Sequence, residues 1–233
     1  MQTLNFGKMA CAVFVLCAVT AIAAPAQTFT AQQKPSIQGH LPNTILFGDD
    51  FSKPEWQSKM CCQWVQDGWL YTQETYGWPR DSMAVVHDGD QNWTDYTVTL
   101  RAQFVPTPNY YDVNDFTILV RTVNFVRSSA INSGRAYQIT FNGKGHDWTP
   151  NQVVLTRTDN DIGSNTTLVT KDVPLPPLDP MNVRITVTGA RIQLWINGIQ
   201  VFDVTDPDPF LYGGIGVHAI WETSARFDDV VVR

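Results

Sequence analysis

Glutamate is nearly missing from this 233-residue chain. Only Glu55, Glu74 and Glu222 occur, among 22 acidic residues in all. Helix-rich proteins draw heavily on Glu, Lys, Ala and Leu, so the shortage argues against a helical body. No window carries apolar residues at the 3.6-residue period of an amphipathic helix. Cysteine is scarce as well. Of the 4 cysteines, Cys11 and Cys17 sit near the start, and Cys61 and Cys62 are neighbours. An adjacent pair can close a strained vicinal disulfide or stay as two thiols, but it cannot staple distant segments. Alone it also falls short of the four ligands that zinc prefers. Stability therefore has to come from a buried core. Basic charge is short too. The formal net charge is −6, which speaks against nucleic acid, whose phosphates call for basic patches. The chain has no Gly-rich phosphate loop, no Gly-x-Ser-x-Gly elbow and no Cys-His nucleophile pattern.

What is present begins with a targeting signal. Lys8 is the only charge before the apolar run "ACAVFVLCAVTAIAA", which leads into Ala24-Pro25-Ala26. Residues 1–26 read as a secretory signal peptide, cut before Gln27. The apolar core is short for a spanning helix, and no later stretch could cross a bilayer. The expectation is a secreted or periplasmic protein with no membrane partner after cleavage. Residues 27–43, polar and carrying Pro35 and Pro42, read as a flexible leader. Residues 44–233 read as one folded domain.

That domain is written in β-strand language. All 8 tryptophans and 7 tyrosines lie in the mature part. In "YTVTLRAQF", Val98, Leu100, Ala102 and Phe104 alternate with Thr97, Thr99, Arg101 and Gln103. In "AYQITFN", Tyr137, Ile139 and Phe141 share a face. Asn197-Gly198 splits "ARIQLWI" from "GIQVFDV" and suits a type I′ hairpin turn, which needs positive φ at both positions. About twelve such runs, separated by Gly, Asn, Asp and Pro, predict an all-β fold: a two-sheet antiparallel sandwich or barrel.

The order of these pieces carries a resemblance. "DDFSKPEWQ" and "WVQDGWLY" come first, then "DYTVTLRAQF", "FTILVRT" and "RAYQITFN". "NVRITVTGARIQLWINGIQVFDVTD" and "GGIGVHAIWETSARFDDVVV" close the chain. Together they resemble the concanavalin A-like lectin/glucanase superfamily of jelly rolls. More closely, they are similar to laminin-G-like and family 16-like domains, including the domain named for 3-keto-disaccharide hydrolases. The resemblance implies two packed sheets, with a ligand groove on the concave side of the larger one. It does not by itself set activity, since one fold hosts many functions.

Glycoside hydrolysis needs two carboxyl groups about 5 Å apart for retention or about 6.5–9.5 Å apart for inversion. The family 16 string Glu-x-Asp-x-x-Glu is absent. Acids drawn from separate strands or loops remain as catalytic candidates: Glu74, Asp81, Asp115, Asp147 and Glu222. Sugar binding pairs an aromatic platform with polar and guanidinium groups. "YGWPRD" offers Trp78 and Arg80, and "GKGHDW" offers His146 and Trp148. Arg121 is expected on the face opposite Ile118 and Val120, and His218 shares a strand face with Ile220 and Glu222, whereas Trp221 shares one with Val217 and Ala219. Trp195 falls among Arg191, Gln193 and Asn197, as a groove residue or as structural cover. Trp56, Trp64 and Trp69 are expected in the core. The resemblance also implies a structural calcium where the first and last strands meet, with Asp50 and Asp228 as ligands; calcium favours six to eight oxygens. The four histidines are scattered and make a catalytic zinc unattractive. The leading reading is a secreted protein that binds a polysaccharide or oligosaccharide. A glycoside hydrolase-like enzyme comes second, and an adhesive domain without a sugar site third.

Overall fold

The computed structural model describes residues 45–51, 57–58, 63–73, 82–85, 92–105, 115–127, 132–143, 150–219 and 224–233. Among them every regular element is a strand, and none is a helix long and apolar enough to cross a membrane. The first strands are short: β1 (Phe47–Asp49), β2 (Gln57–Ser58), β3 (Gln63–Gln66), β4 (Trp69–Gln73) and β5 (Ser82–Val85). Longer ones follow: β6 (Tyr96–Phe104), β7 (Asp115–Arg127), β8 (Asn132–Asn142), β9 (Gln152–Asp159) and β10 (Ser164–Asp172). The last five are β11 (Met181–Thr188), β12 (Arg191–Ile196), β13 (Ile199–Thr205), β14 (Gly214–Ala219) and β15 (Ser224–Val232).

They form two antiparallel sheets. One runs β13-β12-β11-β6-β15-β4-β3, with β1 also on β15, and the other runs β10-β9-β8-β7-β14-β5-β2. This is the expected jelly-roll sandwich. Alternation explains why these segments are strands: β6 reads buried, half-buried, buried along all nine residues, because successive side chains leave opposite faces. The hairpin turn at Asn197-Gly198 takes positive φ at both residues, 49° and 80°, as the dipeptide predicts.

The inner faces meet in one apolar core. Phe116 is its hub. It stacks on Phe141 at 4.7 Å, touches Phe104 at 5.0 Å and meets Phe227 edge-on at 5.4 Å. These rings come from β6, β7, β8 and β15, so the hub ties both sheets. Each buried aromatic of this kind contributes roughly 1.5–3 kcal/mol. Trp69 lies elsewhere than expected. It is half-buried on the outer face of its sheet, between the guanidinium groups of Arg101 (4.8 Å) and Arg226 (4.3 Å). The two cations cover it where core residues would have done.

Candidate functional site

The seven-stranded sheet has a second face, turned away from the core, and that face is polar. Phe116, Ile118 and Val120 of β7 point inward, and so do Tyr137, Ile139 and Phe141 of β8. Asp115, Thr117, Gln138, Thr140 and Asn142 therefore take the other side. Cross-strand partners share a face, and the register lines them up. Asp115 lies opposite Asn142, and Thr117 lies opposite both Thr140 on β8 and His218 on β14. The Thr117 and Thr140 hydroxyls are 2.9 Å apart. Farther along, the Gln138 amide donates to Thr158 Oγ1 at 2.6 Å, and Thr158 donates to Asn165 at 3.1 Å.

These side chains are nonetheless shielded from water. Thr117 and His218 are fully buried, and Asp115, Gln138, Asn142 and Thr158 nearly so. Thr140, Val154 and Thr156 are half-buried and open the strip toward β9. Leu119, Phe125 and Ala136 close it with a small apolar cluster of their own. Two expected site residues, Asp115 and His218, thus meet on one face of adjacent strands, as diagonal neighbours on the order of 7 Å apart at the backbone.

Arg121 does not join them. After Val120 the β7 register shifts, and Arg121 takes a positive φ of 52°. The bulge turns its side chain to the inner side, where it is completely buried. Its guanidinium donates to the carbonyls of Gly189 (2.6 Å), Thr94 (2.9 Å) and Phe210, and it reaches Asp95 at 3.4 Å. Its own N–H donates to the Tyr96 hydroxyl at 2.7 Å, which in turn donates to the carbonyl of Gly214. Burial pulls the guanidinium pKa below its ordinary value and pushes the Tyr96 phenol well above its own. With this set of partners Arg121 ties the two sheets together from the inner side.

Beside it lies a second buried network. The Tyr137 hydroxyl donates to Asp206 at 2.6 Å and accepts the Phe210 N–H at 3.0 Å, while Arg157 reaches Asp206 at 3.3 Å. Burial, and then the hydrogen bond to Asp206, raises the Tyr137 pKa far above that of a free phenol.

Trp195 sits on the outer face of the eight-stranded sheet, with Arg191 and Gln193 beside it as the alternation predicts. Arg184, its direct cross-strand partner, stacks on the indole at 3.9 Å. The first and last strands do meet, with Asp49 opposite Val230. The carboxylates there are engaged differently from the calcium expectation. Asp228 accepts from Arg101 at 3.2 Å and from the Asp229 N–H at 2.7 Å, and Arg101 also reaches Asp229 at 3.5 Å. Burial raises the Asp228 pKa. A guanidinium faces the oxygen that a cation would need. Among the described residues no group of three His, Cys, Asp or Glu that could hold a metal is present.

Glu74, Trp78, Arg80, Asp81, His146, Asp147, Trp148 and Glu222 lie outside the described residues. The strip contains members that sequence reasoning passed over: Thr117, Gln138, Thr140, Asn142 and Thr158. Their signal was the polar half of the alternation in "DFTIL" and "YQITFN", a pattern equally suited to plain solvent exposure.

No curated protein sequence matches the chain. Solved structures share its fold at low identity. A Bacillus subtilis protein of unknown function with a galectin-like fold aligns with TM-score 0.64 and 12% identity, over 81% of this chain and 95% of that one. The carbohydrate binding module CBM66 from Bacillus subtilis aligns with TM-score 0.56 and 13% identity, over 77% and 95%. The Bacillus licheniformis β-glucanase aligns with TM-score 0.56 and 11% identity, over 82% and 99%. The Emp46p carbohydrate recognition domain, in a potassium-bound form, aligns with TM-score 0.56 and 14% identity, over 76% and 88%. The jelly roll is thus one used for carbohydrate binding and for glucan hydrolysis. Residues 43–233 match the model of the 3-keto-alpha-glucoside-1,2-lyase-like domain, and the chain belongs to that family.

Proposed function

We propose that the chain is an exported sugar-binding jelly roll that takes an oligo- or polysaccharide along the polar strip of the seven-stranded sheet. One observation carries this reading: Asp115, Thr117, Gln138, Asn142, Thr158 and His218 are buried on a face turned away from the core. Burying polar groups costs stability unless each finds a partner. Within the strip Thr117 bonds Thr140, and Gln138 bonds Thr158, which bonds Asn165, so the face is organised as a polar network and differs from its apolar Leu119–Phe125–Ala136 end. Saccharide hydroxyls donate and accept, and Thr, Asn, Gln, Asp and His together answer both needs. The ligand would approach from the β9 side, past Thr140 and Thr156. The carbohydrate modules that share the fold support a sugar partner in general terms. Export rests on the signal-like residues 1–26.

A second reading is favoured by the placement of Asp115 and His218 as diagonal neighbours on one face of β7 and β14. The family's name points to elimination from a 3-keto-α-glucoside. There the ketone at C3 makes the C2 proton acidic. A base takes that proton, a double bond forms between C1 and C2, and the C1–O bond breaks. The departing oxygen then needs a proton. Neutral His218 would act as the base and pass the same proton on as imidazolium, with the Asp115 carboxylate stabilising the charged ring.

Calorimetry with a panel of oligosaccharides, beside ultraviolet detection of the unsaturated ketone from a 3-keto-α-glucoside, separates the two. Binding without product, weakened about tenfold or more by Thr117→Val, supports the first. Product formation abolished by His218→Gln supports the second. Neither binding nor product from folded protein would discard both.

A further inference from the structure

We propose a second saccharide site on the opposite sheet, in the groove beside Trp195, specific for a carboxylate-bearing sugar. It lies beyond the polar strip and does not depend on it. The groove is open, encloses about 400 Å³, and is lined by Thr99, Arg101, Asn182, Arg184, Trp195 and Asp229 among others. That volume lies within the range of small-molecule sites, roughly 300–1,000 Å³.

The register builds it. Trp195 on β12, Arg184 on β11 and Thr99 on β6 are successive cross-strand partners in one row. Asn182 and Arg101 are partners in the next row. The Asn197 side chain accepts the Asn182 backbone N–H at 2.9 Å, and so fixes the floor to the hairpin turn.

Arg184 makes the chemistry specific. The other arginines on this face have acceptors. Arg191 is paired with Asp203, Arg101 with Asp228 and Asp229, and Arg226 with Gln103 and Tyr71. Arg184 is exposed, and among the described residues its guanidinium makes no hydrogen bond and no ion pair. Its one interaction is the stack on Trp195 at 3.9 Å. Stacking holds the planar group in place and leaves its in-plane N–H donors without an acceptor among the described residues. That fork fits a carboxylate through two parallel bonds. The part of the half-buried indole that Arg184 leaves uncovered offers apolar surface to the C–H groups of the sugar ring. The Asn182 side-chain amide and the Thr99 hydroxyl are available for ring hydroxyls. Arg101 offsets one of the two nearby acids, Asp228 and Asp229, and Arg184 supplies the second positive charge, so the groove does not carry a net negative charge against an anion. The ligand class is therefore a uronic acid-containing glycan.

The probe is trigalacturonate, with its fully methyl-esterified form as the neutral control, followed by calorimetry and tryptophan fluorescence on the whole protein. Wild type binds trigalacturonate, and binding weakens as salt rises. Arg184→Gln and Trp195→Ala each weaken it about tenfold or more, and Arg184→Lys falls between, since ammonium keeps the charge but not the fork. Exchange of His218 for Gln leaves this binding where it was. Arg184 is exposed, so its variants should melt with wild type. No binding by wild type, equal binding by the methyl ester, or unchanged affinity in Arg184→Gln would each overturn the proposal. Loss of binding only in His218→Gln would place the anion on the polar strip and overturn it too.

Discussion

Replacing Arg121 separates an inter-sheet tie from a ligand contact, and the size of the effect follows from its partners. In Arg121→Met the guanidinium disappears from a fully buried position. Three carbonyls, those of Thr94, Gly189 and Phe210, lose their donor. Each unsatisfied buried acceptor costs about 1–3 kcal/mol, with the low end apt where relaxation or water helps. The pair with Asp95 adds little, because that carboxylate is 57% exposed and exposed pairs are worth about 0–1 kcal/mol. Methionine refills most of the aliphatic volume. The net loss is about 3–5 kcal/mol, a large share of the roughly 5–15 kcal/mol that holds a domain together. At about 2–4 °C per kcal/mol for a domain of this size, Tm falls by roughly 6–20 °C. Arg121→Lys can serve only some of the three acceptors and falls between. Differential scanning fluorimetry reads Tm, and calorimetry reads sugar affinity on whatever remains folded. The tie reading fails if Arg121→Met melts within about 2 °C of wild type, and fails doubly if sugar binding is then lost.

Three further outcomes test other parts of the structure. Gly134 has φ 68°, and a Cβ there would meet the Asn124 and Val123 backbones at 2.3 Å, whereas Gly163, at φ 66°, has nothing within 4 Å. Gly163→Ala should cost about 1 kcal/mol for the left-handed backbone alone, and Gly134→Ala about 2–4 kcal/mol with the clash added; equal urea midpoints would refute the close β7–β8 approach. Asp203 is held at a pKa of about 2 by its hydrogen bond from Arg191. A carboxylate depressed on folding stabilises above its unfolded pKa near 4 and loses that contribution as pH falls through the folded value. Wild type and Asp203→Asn should therefore converge in stability as pH falls from about 4 through about 2, by a small, salt-sensitive amount given the exposure of the pair; a gap that does not shrink across that window would contradict the pairing. Calcium should not raise Tm, because Arg101 already faces Asp228; a calcium-dependent rise reversed by chelator would restore a metal near Asp50 and Asp228.

What the sequence disclosed and what it hid divide along register. β6 was legible to the residue, since Val98, Leu100, Ala102 and Phe104 meet the core and their neighbours do not. The outward placement of Trp195 followed from the same alternation, whereas the meeting of the first and last strands was implied by the family resemblance. Arg121 was illegible because alternation holds only while pairing stays regular. The shift after Val120 rests on Gly213, whose Cα lies so close to the Arg121 backbone that an added Cβ would stand 2.3 Å from its carbonyl carbon. That cause sits ninety-odd positions away and leaves no mark in "VRTVNF". Trp69 was ambiguous for another reason: an aromatic can be covered by guanidinium stems as well as by a core. The polar strip was hidden most deeply. Thr117, Thr140 and Asn142 look in sequence like any solvent face, and only the burial of His218 and Asp115 beside them marks the face as something other than wet surface. One sheet thus keeps its polar side chains buried, the other stacks an arginine with no acceptor among the described residues on a half-buried tryptophan, and the two faces should answer to different ligands.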